Sequence, residues 1–299
     1  MSTLANEKAQ GRRIGPVYFT GARVRSRRRG THRVPASVGI SLVIVAVATV
    51  AVIWPGLLTG VDPHVSDPLN VNQAPSADHL FGTDALGRDV LARVVYGARY
   101  SLAIGVGATV LALAIGATIG LVSGISPRWL DQVLTRATDV IASFPEILLA
   151  LVLVAFTGPG IGNLILALGV AGAPRYARLL RSEVKIARTS GYVEQARTFG
   201  MSTPRVVTQH ILPNALGVIP VVATIGLGGA IIGAAALSFI GMGPQPPIPE
   251  WGSMLAESRQ YLRIAWWTAV FPGVALTAII VSSTIIGRYL QARHERRNS

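Results

Sequence analysis

The 299-residue chain contains no cysteine, which excludes a disulfide framework, a thiolate metal site and a cysteine nucleophile. Lysine is almost as scarce. Lys8 and Lys185 are the only two, and neither follows a glycine or precedes Ser or Thr. The glycine-rich phosphate loop that closes on Lys-Ser/Thr is therefore absent, and with it an ATPase of that kind. No Gly-x-Ser-x-Gly elbow and no His-Glu-x-x-His helix occurs. The five histidines (His32, His64, His79, His210 and His294) are scattered without ligand spacing, so no metal site is expected. Charge of either sign is also sparse, at 14% of residues against roughly 25% in a soluble domain.

Apolar residues fill that gap: they make up 51% of the chain, and the mean hydropathy is +0.50. They lie in blocks of about twenty, the helical length that crosses a ~30 Å hydrocarbon layer. Six spans are expected, near 36–58, 99–124, 137–157, 161–180, 215–240 and 265–287. The first is too long for the apolar core of a cleaved signal and reads as an uncleaved anchor. Thr157-Gly158-Pro159-Gly160 between the third and fourth reads as a tight helical hairpin.

The net charge of +13 is unevenly placed. Twenty-two Lys and Arg fall in the tail 1–35, the segment after span two, the stretch from Arg175 to Pro213 and the C-terminal end; five fall on the other side. Basic residues mark the cytoplasmic face, which places both termini there. The excess charge is a topology signal, and the Arg23–Arg29 cluster suits anionic lipid headgroups rather than nucleic acid. Gly116, Gly120 and Gly124 recur every four residues, and Gly226, Gly229 and Gly233 nearly so. Such spacing lets helices approach closely in lipid, either within this chain or across to a second one. Membrane carboxylates number two candidates, Asp139 and Glu146, with low claims on the translocation path or its gating. Asp139 stands three residues from Arg136, near enough for an ion pair; Glu146, after Pro145, is expected to snorkel or to pair with Arg178 or Arg181.

The stretch 189–213 reads as two short helices with a bend. The first begins after Ser190 or Gly191 with Glu194 in its first turn, where the helix dipole favours an anion. Gly200 ends it, Thr203 caps the second with Pro204 at its first position, and Pro213 stops that one. This loop resembles the EAA motif of ABC-importer permeases: Glu194, Ala196, Gly200, Leu212 and Pro213 match in register, while Gln195 and His210 depart from it. Segments 79–102, 139–150 and 241–255 are similar to the second permease of dipeptide and oligopeptide importers, within the peptide/nickel subfamily. The likeness covers about 36–290.

The resemblance implies an all-α polytopic fold of the type I importer permease: a five-helix core (99–288) preceded by a first transmembrane helix and extracytoplasmic segment (36–98), with cytoplasmic tails 1–35 and 289–299. It implies a non-catalytic bacterial inner-membrane subunit importing short peptides. The coupling loop 189–213 would grip the ATPase. Expected partners are a homologous second permease, two ATP-binding subunits or one fused chain, and an extracytoplasmic solute-binding protein. ATP and Mg would bind the partner ATPases, with no cofactor in this chain. Nickel complexes, glutathione or another small solute fit the same architecture. Two other classes compete: a proton-coupled carrier using Asp139 and Glu146, and a membrane-anchored scaffold or nucleic-acid binder using the basic tail. Asp84 and Asp89 are expected to bond nearby backbone amides in turns or else to meet the solute-binding protein.

Overall fold

A computed structural model describes residues 35–298; the basic tail lies outside the described residues. Every regular element among them is helical, apart from one isolated bridge between Thr83 and Asp89. In chain order the helices are α1 (Ala36–Ile53), α2 (Val90–Ile125), α3 (Arg128–Ala142), α4 (Glu146–Thr157), α5 (Ile161–Arg188), α6 (Gly191–Thr198), α7 (Thr203–Val206), α8 (Leu212–Leu216), α9 (Ile219–Phe239), α10 (Trp251–Ser258) and α11 (Trp267–Asn298).

α1, α2, α9 and α11 are long and apolar enough to cross a membrane, and α3 with α4 makes a fifth span if the bent pair is one crossing. α5 has the length, 28 residues or about 42 Å. Its second half is basic, and it lies along α2 for most of its extent. The bundle thus has two ends. The short helices α6 to α8 gather at one, called the knob end below; residues 54–89 and α10 gather at the other, the cap end.

Several boundaries differ from the sequence reading, among them α5, which runs to Arg188 rather than near 180. α2 starts at Val90 rather than near 99, because the Asp89 side chain accepts a hydrogen bond from the Ala92 amide and caps it. Its first turns carry Arg93, which is buried rather than solvated. The third span is not straight: Pro145 removes an amide donor and disfavours helix at Phe144, and α3 and α4 meet at 84°. α11 runs past 287 to Asn298.

Gly116, Gly120 and Gly124 form a seam within the chain, which decides between the two readings of their spacing. A Cβ on Gly116 would stand 2.6 Å from the Ala173 carbonyl oxygen, one on Gly120 2.5 Å from that of Ala177, and one on Gly124 2.5 Å from Val184 Cγ1. The α2 and α5 backbones touch because no side chain separates them. The second glycine row faces α5 of the same chain as well: Gly226 lies against Tyr176 and Gly233 against Leu168.

The cap end is pinned by polar groups, some bonded locally and some brought together from distant parts of the chain. Asp84 Oδ1 accepts from the Leu86 and Arg88 amides, as its turn predicts. Its Oδ2 takes Arg88 Nε at 2.7 Å, and Arg88 and Arg93 both reach Glu257 on α10, at 3.0 and 3.2 Å. Glu250, 1% exposed, caps α10 by accepting from the Gly252 and Ser253 amides and from Ser101 Oγ on α2. Trp251 Nε1 donates to the Val94 carbonyl and Trp267 Nε1 to that of Thr83. Glu250→Ala would strand several buried donors at once. It should cost about 3 kcal/mol and appear as a clearly lowered unfolding temperature in detergent, whereas Glu257→Ala, at a half-buried position, should cost less.

Candidate coupling site

The knob is built on one buried face. In α6, Val193 and Ala196 point inward while Tyr192, Glu194, Arg197 and Phe199 beside it are exposed. Those inward residues join Val206, Ile211 and Ala215 from the later turns and Val184 and Ala187 from the end of α5, forming a small apolar core of their own. The knob is therefore seated on α5 and is not a free loop.

Gly200 closes α6 with φ +81°. The Met201 amide donates to the Ala196 carbonyl and the Gly200 amide to that of Arg197, the paired pattern of a Schellman cap. No neighbouring atom would meet a Cβ at Gly200, so the backbone angle alone requires glycine here. The second helix departs from expectation at both ends. Its N-cap is Ser202, one residue before Thr203. Pro213 does not stop it: a π-helical turn over Val207–Ile211 widens the spiral, the Leu212 amide donates to the Val207 carbonyl, and α8 continues through Pro213. A wide turn accommodates the missing donor without breaking the helix, and Asn214 Nδ2 donates to the His210 carbonyl there.

The motif residues thus divide by role. Ala196 packs into the floor, Leu212 is half-buried, and Glu194, Gly200 and Pro213 are on the surface. Between them stands Phe199, 89% exposed, with Tyr192 beside His210 at 6.2 Å between ring centroids. Phe199 occupies a position that the motif leaves unspecified; an aromatic immediately before a helix-ending glycine is the signal the sequence offers for it.

Behind the knob, α5 also holds α3. Arg181 Nη2 and Lys185 Nζ each donate to Asp131 Oδ2 at 2.8 Å, Ser123 Oγ on α2 donates to Oδ1, and Arg188 Nη1 donates to the Gly124 carbonyl. Asp131 stands in the first turn of α3, beyond the apolar stretch of α2. The Arg181 hydrogen bonds, opposed by desolvation and joined by Lys185 and Ser123, hold its carboxyl well below the usual carboxylate range. The clamp's contribution is accordingly present above that range and is lost only as pH falls through the lowered pKa.

The two membrane carboxylates are not brought together. Asp139 lies opposite Arg178 on α5 at 3.8 Å, both half-exposed, in place of the expected Arg136. Glu146 pairs with neither Arg178 nor Arg181, which are drawn to Asp139 and Asp131. Its Oε1 lies where a Cβ on Gly172 would stand 3.2 Å away.

A family model described as a binding-protein-dependent transport system inner membrane component matches residues 116–298. The chain is 42% identical to a dipeptide transport system permease protein of Alkalihalophilus pseudofirmus over 83% of this chain and 82% of that one. It is 39% identical to a putative peptide transport system permease protein of Brucella suis over 91% and 89%, and 41% identical to a glutathione transport system permease protein of Escherichia coli over 73% and 72%. Among solved structures, it resembles the MetNI methionine ABC transporter in an inward-facing form (TM-score 0.56, 20% identity, 68% of this chain and 96% of that one). It also resembles an amino acid ABC transporter crystallised with histidines (TM-score 0.53, 20% identity, 69% and 94%). At that identity the likeness is one of fold.

Proposed function

Because the chain belongs to the inner-membrane components of binding-protein-dependent transport systems, we propose that it forms half of a translocation path for short peptides, driven through the Glu194–Pro213 knob by separate ATPase subunits. The single observation carrying the coupling role is the knob itself: a rigid two-helix unit with its own core, seated on α5, that presents Phe199 outward. The peptide cargo is supported by the names of the two peptide-transport relatives; the glutathione relative supports that tripeptide as the second reading.

In this reading the knob end is cytoplasmic, in keeping with its basic residues, and the cap end faces the solute-binding protein. Closure of the ATPases pushes on the knob. Because the knob floor includes Val184 and Ala187, the push passes into α5 and, through the Asp131 clamp, into α3 and the bend before α4. The bundle then exchanges which end is open, and each state must be favoured by contacts the other lacks.

Uptake of radiolabelled dialanine into proteoliposomes tests the reading. The chain should support uptake only with the second permease, the ATPases, ATP and the loaded binding protein. Uptake by the lone chain under a proton gradient would instead establish the secondary-carrier reading. A second expected outcome concerns Phe199. An aromatic anchor at an interface contributes about 2 kcal/mol, so Phe199→Ala should weaken capture of the ATPase subunits by the solubilised permease pair roughly thirtyfold in Kd. Unchanged capture would remove Phe199 from the interface.

A further inference from the structure

A cavity of about 320 Å³ opens at the cap end, walled by the turn at 84–88, the start of α2 and the stretch from α10 to Thr268. The charged residues on its wall are two arginines and two carboxylates, joined in one network. Arg88 Nε lies 2.7 Å and Arg93 Nε 3.5 Å from Asp84 Oδ2. Both guanidinium groups then meet a single oxygen of Glu257, Oε2, at 3.0 and 3.2 Å. Two positive and two negative groups cancel. An ion entering the cavity would give up hydration with no unpaired opposite charge to meet.

The hydrogen bonds, unlike the charges, are incomplete. Arg93 is 1% exposed, and its Nη1 has no partner among the described residues. Both arginines use Glu257 Oε2, and no described group donates to Oε1. A buried guanidinium donor left unpaired is costly, and native structures keep few of them. The remaining wall is largely apolar, with Val90, Met254 and Pro246 facing the space. A spare donor and a spare acceptor on adjoining groups, between apolar surfaces and without net charge, complement a peptide group. Its carbonyl accepts from an N–H, and its own N–H donates to a carboxylate.

We infer that this cavity receives the main chain of a loop of the solute-binding protein. A peptide carbonyl of the loop accepts from the Arg93 guanidinium, and a neighbouring N–H donates to Glu257 Oε1. The inference rests on the permease reading above and gives the docked partner a defined place on this chain. Charge separates a loop from free cargo. A free peptide brings an ammonium and a carboxylate end, for which the balanced wall holds no spare counter-charge; the interior of a loop brings neither. Size agrees, because the cavity stands at the lower end of the ~300–1,000 Å³ range of ligand pockets and suits a loop tip.

The test uses the full complex with the second permease and the ATPases in nanodiscs, with capture of the loaded binding protein as the readout. Ala256, half-buried on the cavity wall, lies outside the charge network. Ala256→Trp fills the space and should weaken capture at least tenfold in Kd, while copurification of the subunits and the unfolding temperature stay at the wild-type level. Ala256→Ser leaves the space open and should capture as wild type does. The probe for the peptide group is N-acetyl-dialanine methylamide, which has no charged end. At millimolar concentration it should compete with the binding protein at least tenfold better than free dialanine or acetate. Capture by Ala256→Trp within twofold of wild type overturns the inference. Equal competition by acetate would make the cavity an anion site, and equal competition by free dialanine a cargo site; either overturns it. If the tryptophan variant unfolds early, competition alone decides, and failure of the capped peptide to compete is then fatal. A wild-type complex that captures no binding protein at all would instead overturn the permease reading itself.

Discussion

Valine in place of Gly120 should leave little folded, assembled protein. The added Cβ would stand 2.5 Å from the Ala177 carbonyl oxygen and 3.1 Å from Leu180 Cβ, so its nearest obstacle is backbone, which has no rotamer to change. Overpacking a well-filled core costs about 1–3 kcal/mol, and the α2–α5 contact is the most extensive in the molecule. Separating the two helices would also loosen the Asp131 clamp beside the seam. Size-exclusion chromatography in mild detergent, with a thermal ramp, measures the effect: the monodisperse peak should collapse and the midpoint fall by more than for any other glycine discussed here. Gly39→Val is the control. Gly39 lies in α1 with nothing within 4 Å of its would-be Cβ, and this variant should behave as wild type. A normal peak for Gly120→Val would mean that α2 and α5 are not in direct backbone contact.

The second large effect is functional rather than structural. Gly200→Val should insert and assemble, because the space around Gly200 is empty and the knob keeps its apolar floor. At φ +81° a β-branched residue is strained by about 1–2 kcal/mol, and relief of that strain must unwind the Schellman cap. Phe199 then loses its fixed direction. Under the coupling proposal, ATP hydrolysis should persist while peptide accumulated per ATP falls at least tenfold. Gly200→Asn separates backbone strain from side-chain bulk, because asparagine tolerates the left-handed region; it should retain most of the coupling. Equal accumulation per ATP in the valine variant and wild type would refute the assignment of this loop as the transmitting element.

Some features were legible because they are local. Asp84 and Asp89 bond the amides predicted by their turns, Glu194 falls in the first turn of α6, and Gly200 ends that helix in the left-handed conformation. Of the six expected spans, four appear as single apolar helices near their expected places (α1, α2, α9 and α11), the third as the bent α3–α4 pair and the fourth as the partly basic α5. Features set by partners distant in sequence were not legible. Arg93 reads as a solvated charge at the edge of a span until Glu257, 164 residues away, is brought beside it. Asp139 prefers Arg178 on another helix to Arg136 on its own. Pro213 was expected to end a helix, since nothing in a window of residues reveals that the preceding turn will widen.

The glycine seam also governs which relative motions the bundle permits. Three berths spaced four residues apart act like the teeth of a rack: sliding α2 along α5 by less than a full pitch drives each berth onto a carbonyl or a branched side chain. The pair has almost no translational freedom and turns as one body. Flexure is thereby displaced to the places where helical continuity already lapses, namely the 84° elbow before Glu146, the proline at 174 and the widened turn at 207–211.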